Sequence, residues 1–453
     1  MADIARLARF MRELEEQLTA CMRCGFCQAA CPLYAQTGLE TDVARGKLAL
    51  LAGLGREMIR DARGVKESLD RCLLCGSCAA ACPSGTRVLD IFIKARAILA
   101  GYLGLSPAKR LIFRGVLARP ALFDGVLALA PRFQHILARP VDAGLETSRA
   151  RLTSPLGPRH FKRLAPEPLH NLLGPRRPDP DWDGPRVALF WGCLIDKLYP
   201  RVGLAMAKAL EHRRVGLVIP RGQACCGIPA LASGDADGFA RMLEYNLQRF
   251  DPDRFDYLVT ACATCASAMK KLWPLMGPEA LPGREKRILA LADKTREVSQ
   301  FLAEQGMIGN APAQPDAGAP AFTYHDPCHL KKALGAAEQP RRAATAGGRW
   351  RLVEMAEADW CCGMGGSFGL EHYDLSSRIG RRKLGNILAV GCDTVVTSCP
   401  ACMAQISDAL SRAGEKIRVR HAIELYAEAA AAEDGRNAAG EAAPFTERAG
   451  RVR

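Results

Sequence analysis

Cys361-Cys362-Gly363, two adjacent cysteines and a glycine, has a twin in this chain, Cys225-Cys226-Gly227. The surroundings repeat with it. A lone cysteine stands ahead of each, Cys193 or Cys328, and a Cys-x-x-Cys follows, Cys262/Cys265 or Cys399/Cys402. Matching cysteines are 135 to 137 residues apart, so ten thiols keep register across a duplicated module. Neighbouring side chains of an extended chain diverge. Both cysteines of the pair can face one site only if the backbone turns sharply, and the glycine permits that turn. A mononuclear zinc site takes four ligands. Five thiolates per module suit a polynuclear iron–sulfur cluster better, and better than a role as buried apolar filler.

Nineteen cysteines in 453 residues are far more than a core needs. The first twenty residues, MADIARLARFMRELEEQLTA, carry charges throughout and lack the continuous apolar segment of a secretory signal. The expectation is therefore a reducing cytoplasm, with metal-bound thiolates rather than disulfides. Nowhere do about 18 uninterrupted apolar residues occur, as a membrane-spanning helix would need. The net charge of +14 is uneven: residues 101–186 hold 14 Lys/Arg against 7 Asp/Glu. Such a patch suits an acidic protein, an anionic membrane surface or a nucleic acid. The basic residues sit in a Pro-rich connection with no helicase, glycosylase or recognition-helix signature, so nucleic acid is not an expected partner.

Ahead of the duplicated region lies a second repeat. Residues 3–20 have helical periodicity and lead into CMRCGFCQAACP, Cys21 to Pro32; 51 residues later comes CLLCGSCAAACP, Cys72 to Pro83. Both are C-x2-C-x2-C-x3-C-P, the run that holds a 4Fe-4S cluster in bacterial-type ferredoxins, where the fourth cysteine serves the other cluster. That assigns Cys21, Cys24, Cys27 and Cys82 to one cluster, and Cys72, Cys75, Cys78 and Cys31 to its partner. Helical patterns fill the insert and continue over Val88 to Leu103.

Short apolar strand candidates precede the cysteines of both later modules: 186–191, 215–220 and 255–260, then 321–324, 350–354 and 394–397. Helical patterns such as 237–250 and 375–388 alternate with them, which predicts a parallel α/β sheet with ligands past the carboxyl ends of its strands; helices over 266–276 and 284–305 are expected to join the two copies. The expected fold class is thus α/β with an α-helical N-terminal part. The expected division is a two-cluster ferredoxin-type domain over 1–100, a helical and Pro/Arg-rich connector over 101–185, and cysteine-rich domains over 186–310 and 321–427. A disordered Ala/Gly-rich tail is expected over 428–453. From Ser148 to Arg186 the Pro/Arg-rich sequence reads as an extended connection.

These residues resemble known families. The two C-x2-C-x2-C-x3-C-P runs, set in helices, are similar to the two-cluster ferredoxin domain of succinate dehydrogenase and heterodisulfide reductase iron–sulfur subunits. The Cys…Cys-Cys-Gly…Cys-x-x-Cys modules resemble the cysteine-rich CCG domain. That domain occurs in heterodisulfide reductase, in anaerobic glycerol-3-phosphate dehydrogenase, and in the iron–sulfur subunits of glycolate oxidase and D-lactate dehydrogenases. A two-cluster ferredoxin followed by two such domains is the layout of the glycolate oxidase iron–sulfur subunit. The resemblance implies two 4Fe-4S clusters at the N-terminus and one or two further clusters, of a non-cubane 4Fe-4S type, on Cys193, Cys225, Cys226, Cys262 and Cys265 and on Cys328, Cys361, Cys362, Cys399 and Cys402. It also implies an electron-transfer subunit whose FAD-binding dehydrogenase partner oxidises glycolate or D-lactate. Electrons would leave to a quinone or another carrier, with the chain in the cytoplasm or peripheral on the inner membrane face. The alternatives are a thiol–disulfide oxidoreductase subunit of the heterodisulfide reductase type and a relay like that of anaerobic glycerol-3-phosphate dehydrogenase. With no G-x-G-x-x-G or G-x-x-x-x-G-K-[ST] loop after a strand, no flavin is expected on this chain. His325 and His329 flank Cys328 and are expected to orient its thiolate rather than bind iron. Cys392 lacks a counterpart and is expected to be a buried structural thiol. Trp191 and Trp360 are expected to shield the sites from water.

Overall fold

Residues 17–151, 157–179 and 181–441 are described by a computed structural model. Most of the helix expected over 3–20 lies outside them. Eleven strands are numbered along the described chain: β1 (Ala138–Asp142), β2 (Thr147–Ala150), β3 (His160–Lys162), β4 (Arg186–Leu189), β5 (Gly216–Val218), β6 (Tyr257–Thr260), β7 (Thr295–Glu297), β8 (Ala321–Tyr324), β9 (Arg351–Leu352), β10 (Thr394–Thr397) and β11 (Arg418–His421).

The duplicated region forms two four-stranded sheets, ordered β5-β4-β6-β7 and β9-β8-β10-β11. Every pairing within them is parallel. Numbered within its own module, each sheet runs 2-1-3-4, so the repeat read from cysteine spacing is a repeat of topology. Buried on both faces, the first and third strands read as continuous apolar runs such as Val187-Ala188-Leu189 and Thr394-Val395-Val396-Thr397.

The fourth strands, β7 and β11, escape a reading of periodicity. β7 interrupts what is predicted as one helix over 284–305; the chain instead forms the helices Glu285–Lys294 and Val298–Glu304 with a three-residue strand between them. Leu258 and Thr260 of β6 pair with Thr295 and Glu297. Three residues are too few to show a period of two. The local signal is the cap: Glu297 accepts from Ser299 N at 2.8 Å and forms a capping box with Gln300.

The N-terminal part is helical as expected, with Ala44–Gly55, Ala62–Asp70 and Val88–Leu103 as its main helices. Its core is continuous with that of the first cysteine-rich module: Phe92 and Ile91 belong to the same buried cluster as Phe190, Met206 and Trp273. A smaller cluster, Leu33, Leu73, Cys361, Phe368 and Ile379, joins it to the second module. Arg96 marks the first junction. Nearly fully buried, its guanidinium donates to the carbonyls of Leu69, of Cys72 at 2.7 Å, and of Ala232 across the junction at 2.5 Å.

Two segments differ from expectation. Within 138–162, β1, β2 and β3 make an antiparallel sheet where the Pro/Arg-rich composition suggested an extended connection. Tertiary contacts fix it: Thr147 Oγ1 meets Ser411 Oγ at 2.6 Å, and the His160 backbone N–H donates to Asp408 Oδ1 at 2.8 Å, both on the helix Pro400–Ala413. Over 428–441, where a disordered tail is expected, the chain is helical, in Ala422–Glu441. Alanine favours helix, and Leu425, Tyr426, Ala429 and Ala430 bury themselves, with Arg213 donating to Tyr426 Oη at 2.7 Å. The C-terminal helix thereby clasps the first module, while 442–453 lie outside the described residues.

Two outcomes follow from this architecture. Arg96→Met removes a charged donor from three carbonyls, of which that of Leu69 still accepts from the Cys72 N–H, and should cost about 3 kcal/mol in urea unfolding, with faster proteolysis at the junction. Burial pushes the Glu297 carboxyl up to about 7 from a value of 4.5. The fold therefore favours the neutral acid, and stability present at pH 4.5 is lost as pH rises through about 7. Glu297→Gln keeps the acceptor; it should match the wild type near pH 4.5 and exceed it at about pH 8, compared by urea unfolding at both.

Candidate metal centres

Each ferredoxin-type run folds by the same backbone device. Arg23 and Leu74, just ahead of the second cysteine, have φ of 58° and 55°, and Gly25 and Gly76, just after it, have φ of 90° and 74°. A non-glycine residue held left-handed costs about 1–2 kcal/mol, a strain concentrated at functional turns. Here it curls three cysteines toward one point. Cys21, Cys24, Cys27 and Cys82 line one cavity, and Cys31, Cys72, Cys75 and Cys78 line another. The fourth cysteine of each run thus sits with the first three of the other. Cys78 also borders the first cavity, so the two sets adjoin. Burial pushes the Cys31 thiol up to about 12. Beside this set, Lys47 is buried and donates to Thr41 O at 2.8 Å; burial raises the Cys72 thiol, and Arg96 and Lys47 oppose that rise.

In the cysteine-rich modules the paired cysteines lie in the loops after β5 and β9. Gly227 and Gly363 have φ of 92° and 97°. A Cβ on Gly227 would come within 2.5 Å of Phe239, and one on Gly363 would clash with the Ser376 carbonyl, so only glycine lets the pair press against the helices Ala236–Arg249 and Tyr373–Leu388. The other ligand candidates follow the first and third strands. Cys193 Sγ lies 3.8 Å from Cys225 Sγ, and Cys362 Sγ 3.5 Å from Cys402 Sγ. Thiol contacts also join Cys225 to Cys226, Cys226 to Cys265, and Cys265 to Cys262; in the second module they join Cys328 to Cys361, Cys361 to Cys362, and Cys402 to Cys399.

The crowding divides the thiols electrostatically. Cys226 is drawn down to about 6 by the thiols of Cys225 and Cys265. Cys362 and Cys399 fall well below the usual thiol value through contacts with Cys361 and Cys262 respectively. Cys193, Cys265, Cys328 and Cys402 are pushed well above it, chiefly by neighbouring thiols and then by burial. Five crowded thiols, four buried and one half-buried in each module, cannot all ionise side by side unless a positive group joins them. The residues present fit an iron–sulfur group in both modules.

The sets also touch one another. The Cys75 thiol meets Cys361, and Lys332 Nζ donates to Ser77 Oγ at 2.7 Å, joining the second ferredoxin-type set to the second module. The Cys262 thiol meets Cys399, and the Ala263 N–H donates to Ser398 O at 3.1 Å, so the carboxyl ends of the two sheets face each other. Thr264, which no sequence signal marks, has its hydroxyl 3.3 Å from Cys399 Sγ and 3.0 Å from His329 Nδ1. His329 therefore reaches across to the first module. Cys392 is buried beside Arg351 and Asp393, apart from these contacts. Trp191 is buried after β4, whereas Trp360 is half-buried under the Arg382 guanidinium, 3.9 Å from its ring centre. A separate group, Asp124, His170 and Asp196, is an ion-pair network: Lys197 Nζ stands 2.6 Å from Asp124 and 2.8 Å from Asp196.

Comparison with known proteins agrees with this geometry. A 4Fe-4S dicluster domain model matches residues 17–86, and a cysteine-rich domain model, CCG, matches 187–270 and 322–407. A probable glycolate oxidase iron-sulfur subunit from Bacillus subtilis (strain 168) is 27% identical over 438 residues, 92% of this chain and 95% of its own. One subunit of a fumarate reductase (CoM/CoB) from Methanothermobacter marburgensis is 26% identical over 413 residues, 90% and 72% of the two chains. Lactate utilization protein A from Geobacillus sp. (strain WCH70) is 31% identical over 243 residues, 53% of this chain and 98% of that one. Fold and thiol sets together define an iron–sulfur electron-transfer subunit of an oxidoreductase complex. The chain belongs to the glycolate oxidase / D-lactate dehydrogenase iron–sulfur subunit family.

Replacing Cys31 by Ser should perturb the paramagnetic signal of the set containing Cys72, Cys75 and Cys78, and Cys82→Ser that of Cys21, Cys24 and Cys27. Each should lower iron content by up to about four atoms per chain. If each change affects the signal of its own run, the crossed arrangement is wrong.

Proposed function

We propose that this chain is the relay subunit of a flavin-dependent 2-hydroxy-acid dehydrogenase, with glycolate or D-lactate as the substrate of a separate FAD-binding subunit. Electrons would leave to a quinone or another membrane carrier. The observation that carries the reading is the unbroken succession of thiol sets: Cys21/24/27/82, then Cys31/72/75/78, then the second cysteine-rich module through Cys75 and Cys361, then the first through Cys399 and Cys262. Clusters held there supply one-electron acceptors at short range. The protein's part is to hold the sets in contact, bury them, and place Lys47, Arg96 and Lys332 where negative charge accumulates. The order along the path is not the order along the chain, because the ferredoxin-type module abuts the second cysteine-rich module at its ligands.

The test is anaerobic purification with iron and sulfide analysis, followed by reduction of the chain by glycolate or D-lactate in the presence of the co-purifying flavoprotein. Bleaching of cluster absorbance dependent on both supports the reading. A second reading, thiol–disulfide chemistry at a cysteine-rich module, is favoured by the likeness to the fumarate reductase (CoM/CoB) chain. Turnover of a disulfide by the isolated reduced chain, without a flavoprotein, would select it.

Peripheral membrane contact is part of the proposal. No helix in the described residues is long and apolar enough to cross a membrane. The stretch 107–137, however, exposes Leu111, Ile112, Leu122, Val126, Ile136 and Leu137, flanked by the exposed Arg110, Arg119 and Arg139. Much of the remaining basic charge of the connector is used internally. Arg159 is buried against Asp408 and the Gly369 carbonyl, Lys162 pairs with Glu146, and Arg176 with Glu211. Exposed apolar side chains interspersed with cations suit an anionic bilayer. Changing Arg110, Arg119 and Arg139 to Glu should lower co-sedimentation with phosphatidylglycerol vesicles about tenfold or more at low salt. Unchanged sedimentation would remove the membrane from the proposal.

A further inference from the structure

The two cysteine-rich modules are built alike, yet at one matched position they differ in chemistry. The residue after the first strand donates its backbone N–H to the third strand in both: Phe190 to Val259 O at 2.8 Å, and His325 to Val396 O at 2.9 Å. Both side chains are buried, 0% and 1% exposed. Phe190 packs in an aromatic group, its ring centre 5.7 Å from that of Phe250 and 6.5 Å from that of Trp273. His325 brings two polar ring nitrogens to the equivalent place, and neither has a hydrogen-bond partner. A buried polar group left unpaired costs about 1–3 kcal/mol, so a fold keeps one only where something else meets it.

The surroundings show where the imidazole is aimed. A ring nitrogen of His325 and the sulfurs of Cys362 and Cys402 all lie within 4.8 Å of one another, and the two sulfurs are 3.5 Å apart. His329, the other imidazole of the motif, is already engaged with Thr264. His325 thus presents an unpartnered imidazole to the Cys362/Cys402 pair, and the first module presents a phenyl ring at the matched point.

We infer that a ring N–H of His325 donates a hydrogen bond to the sulfur of the group bound by Cys328, Cys361, Cys362, Cys399 and Cys402, making the second site easier to reduce than the first. The inference rests on the reading that both modules hold iron–sulfur groups. Hydrogen bonds to sulfur stabilise the more negative, reduced form and raise the potential. The consequence is positional. The second module stands between the ferredoxin-type pair and the first module, so the more readily reduced site is an interior stop where one electron waits while another arrives. His325 acts through the ligand sphere; it is a tuning residue.

The experiment uses the full chain purified without oxygen, with iron and sulfide measured on the same sample. Redox titration followed by electron paramagnetic resonance is run on the wild type, His325→Phe, His325→Gln and Phe190→His. Expected are a nitrogen hyperfine coupling on one non-ferredoxin signal of the wild type, its loss in His325→Phe, and a fall of that signal's midpoint with the ferredoxin signals unmoved. His325→Gln, which keeps an N–H, should recover part of the midpoint, and Phe190→His should raise the other module's midpoint. The wild-type coupling needs no variant to fold. Iron present in both modules but no nitrogen coupling, or an unmoved midpoint in His325→Phe, overturns this inference alone. Iron confined to the ferredoxin-type pair overturns the cluster reading of the modules and the inference with it.

Discussion

Thiolate repulsion is the constraint around which this chain is arranged. Sulfurs 3.5 to 3.8 Å apart in buried surroundings repel once ionised, and burial disfavours every ionisation. Such sets persist only where the backbone is held against them and positive charge is supplied. Holding is done by left-handed residues, Arg23 with Gly25, Leu74 with Gly76, and the glycines of the two Cys-Cys-Gly turns. Charge comes from cations anchored on carbonyls, Arg96 and Lys47 beside Cys72 and Lys332 beside Cys75. The remaining positive charge has to come from the iron that the thiols collect.

That constraint explains the way the modules interlock. A parallel sheet places its sites past the carboxyl ends of its strands, so two sheets whose ends face each other bring their sites together. The ferredoxin-type helices then close over the junction and share one core with the first module, while their second thiol set faces the other. The antiparallel strap of β1, β2 and β3 holds the helix Pro400–Ala413, and the C-terminal helix clasps Pro200–His212.

Duplication supplied two equal sites, and differences at matched positions make them unequal. Phe190 and His325 share a backbone bond and a degree of burial but not a chemistry. Leu194 and His329 differ likewise at the residue after the first cysteine. Through Thr264, His329 ties the second module to the first, a role that its expected part in orienting Cys328 did not foresee.

The sequence by itself determined the parts: two ferredoxin-type runs, two copies of a five-cysteine module, and parallel strands ending at the ligands. Ligand spacing and strand alternation are local properties, and local chemistry writes them in local sequence. Tertiary structure alone decided how the parts meet. The strands β7 and β11 are short edge strands whose existence depends on a neighbour already in place, so 284–305 carries only a helical period. Pro and Arg between 148 and 163 leave the strap without an apolar alternation, and it forms because the helix Pro400–Ala413 supplies its partners. The contacts of Cys75 with Cys361 and of Cys262 with Cys399 join residues more than a hundred positions apart. No spacing rule reaches that far, because packing of preformed modules brings those sulfurs together.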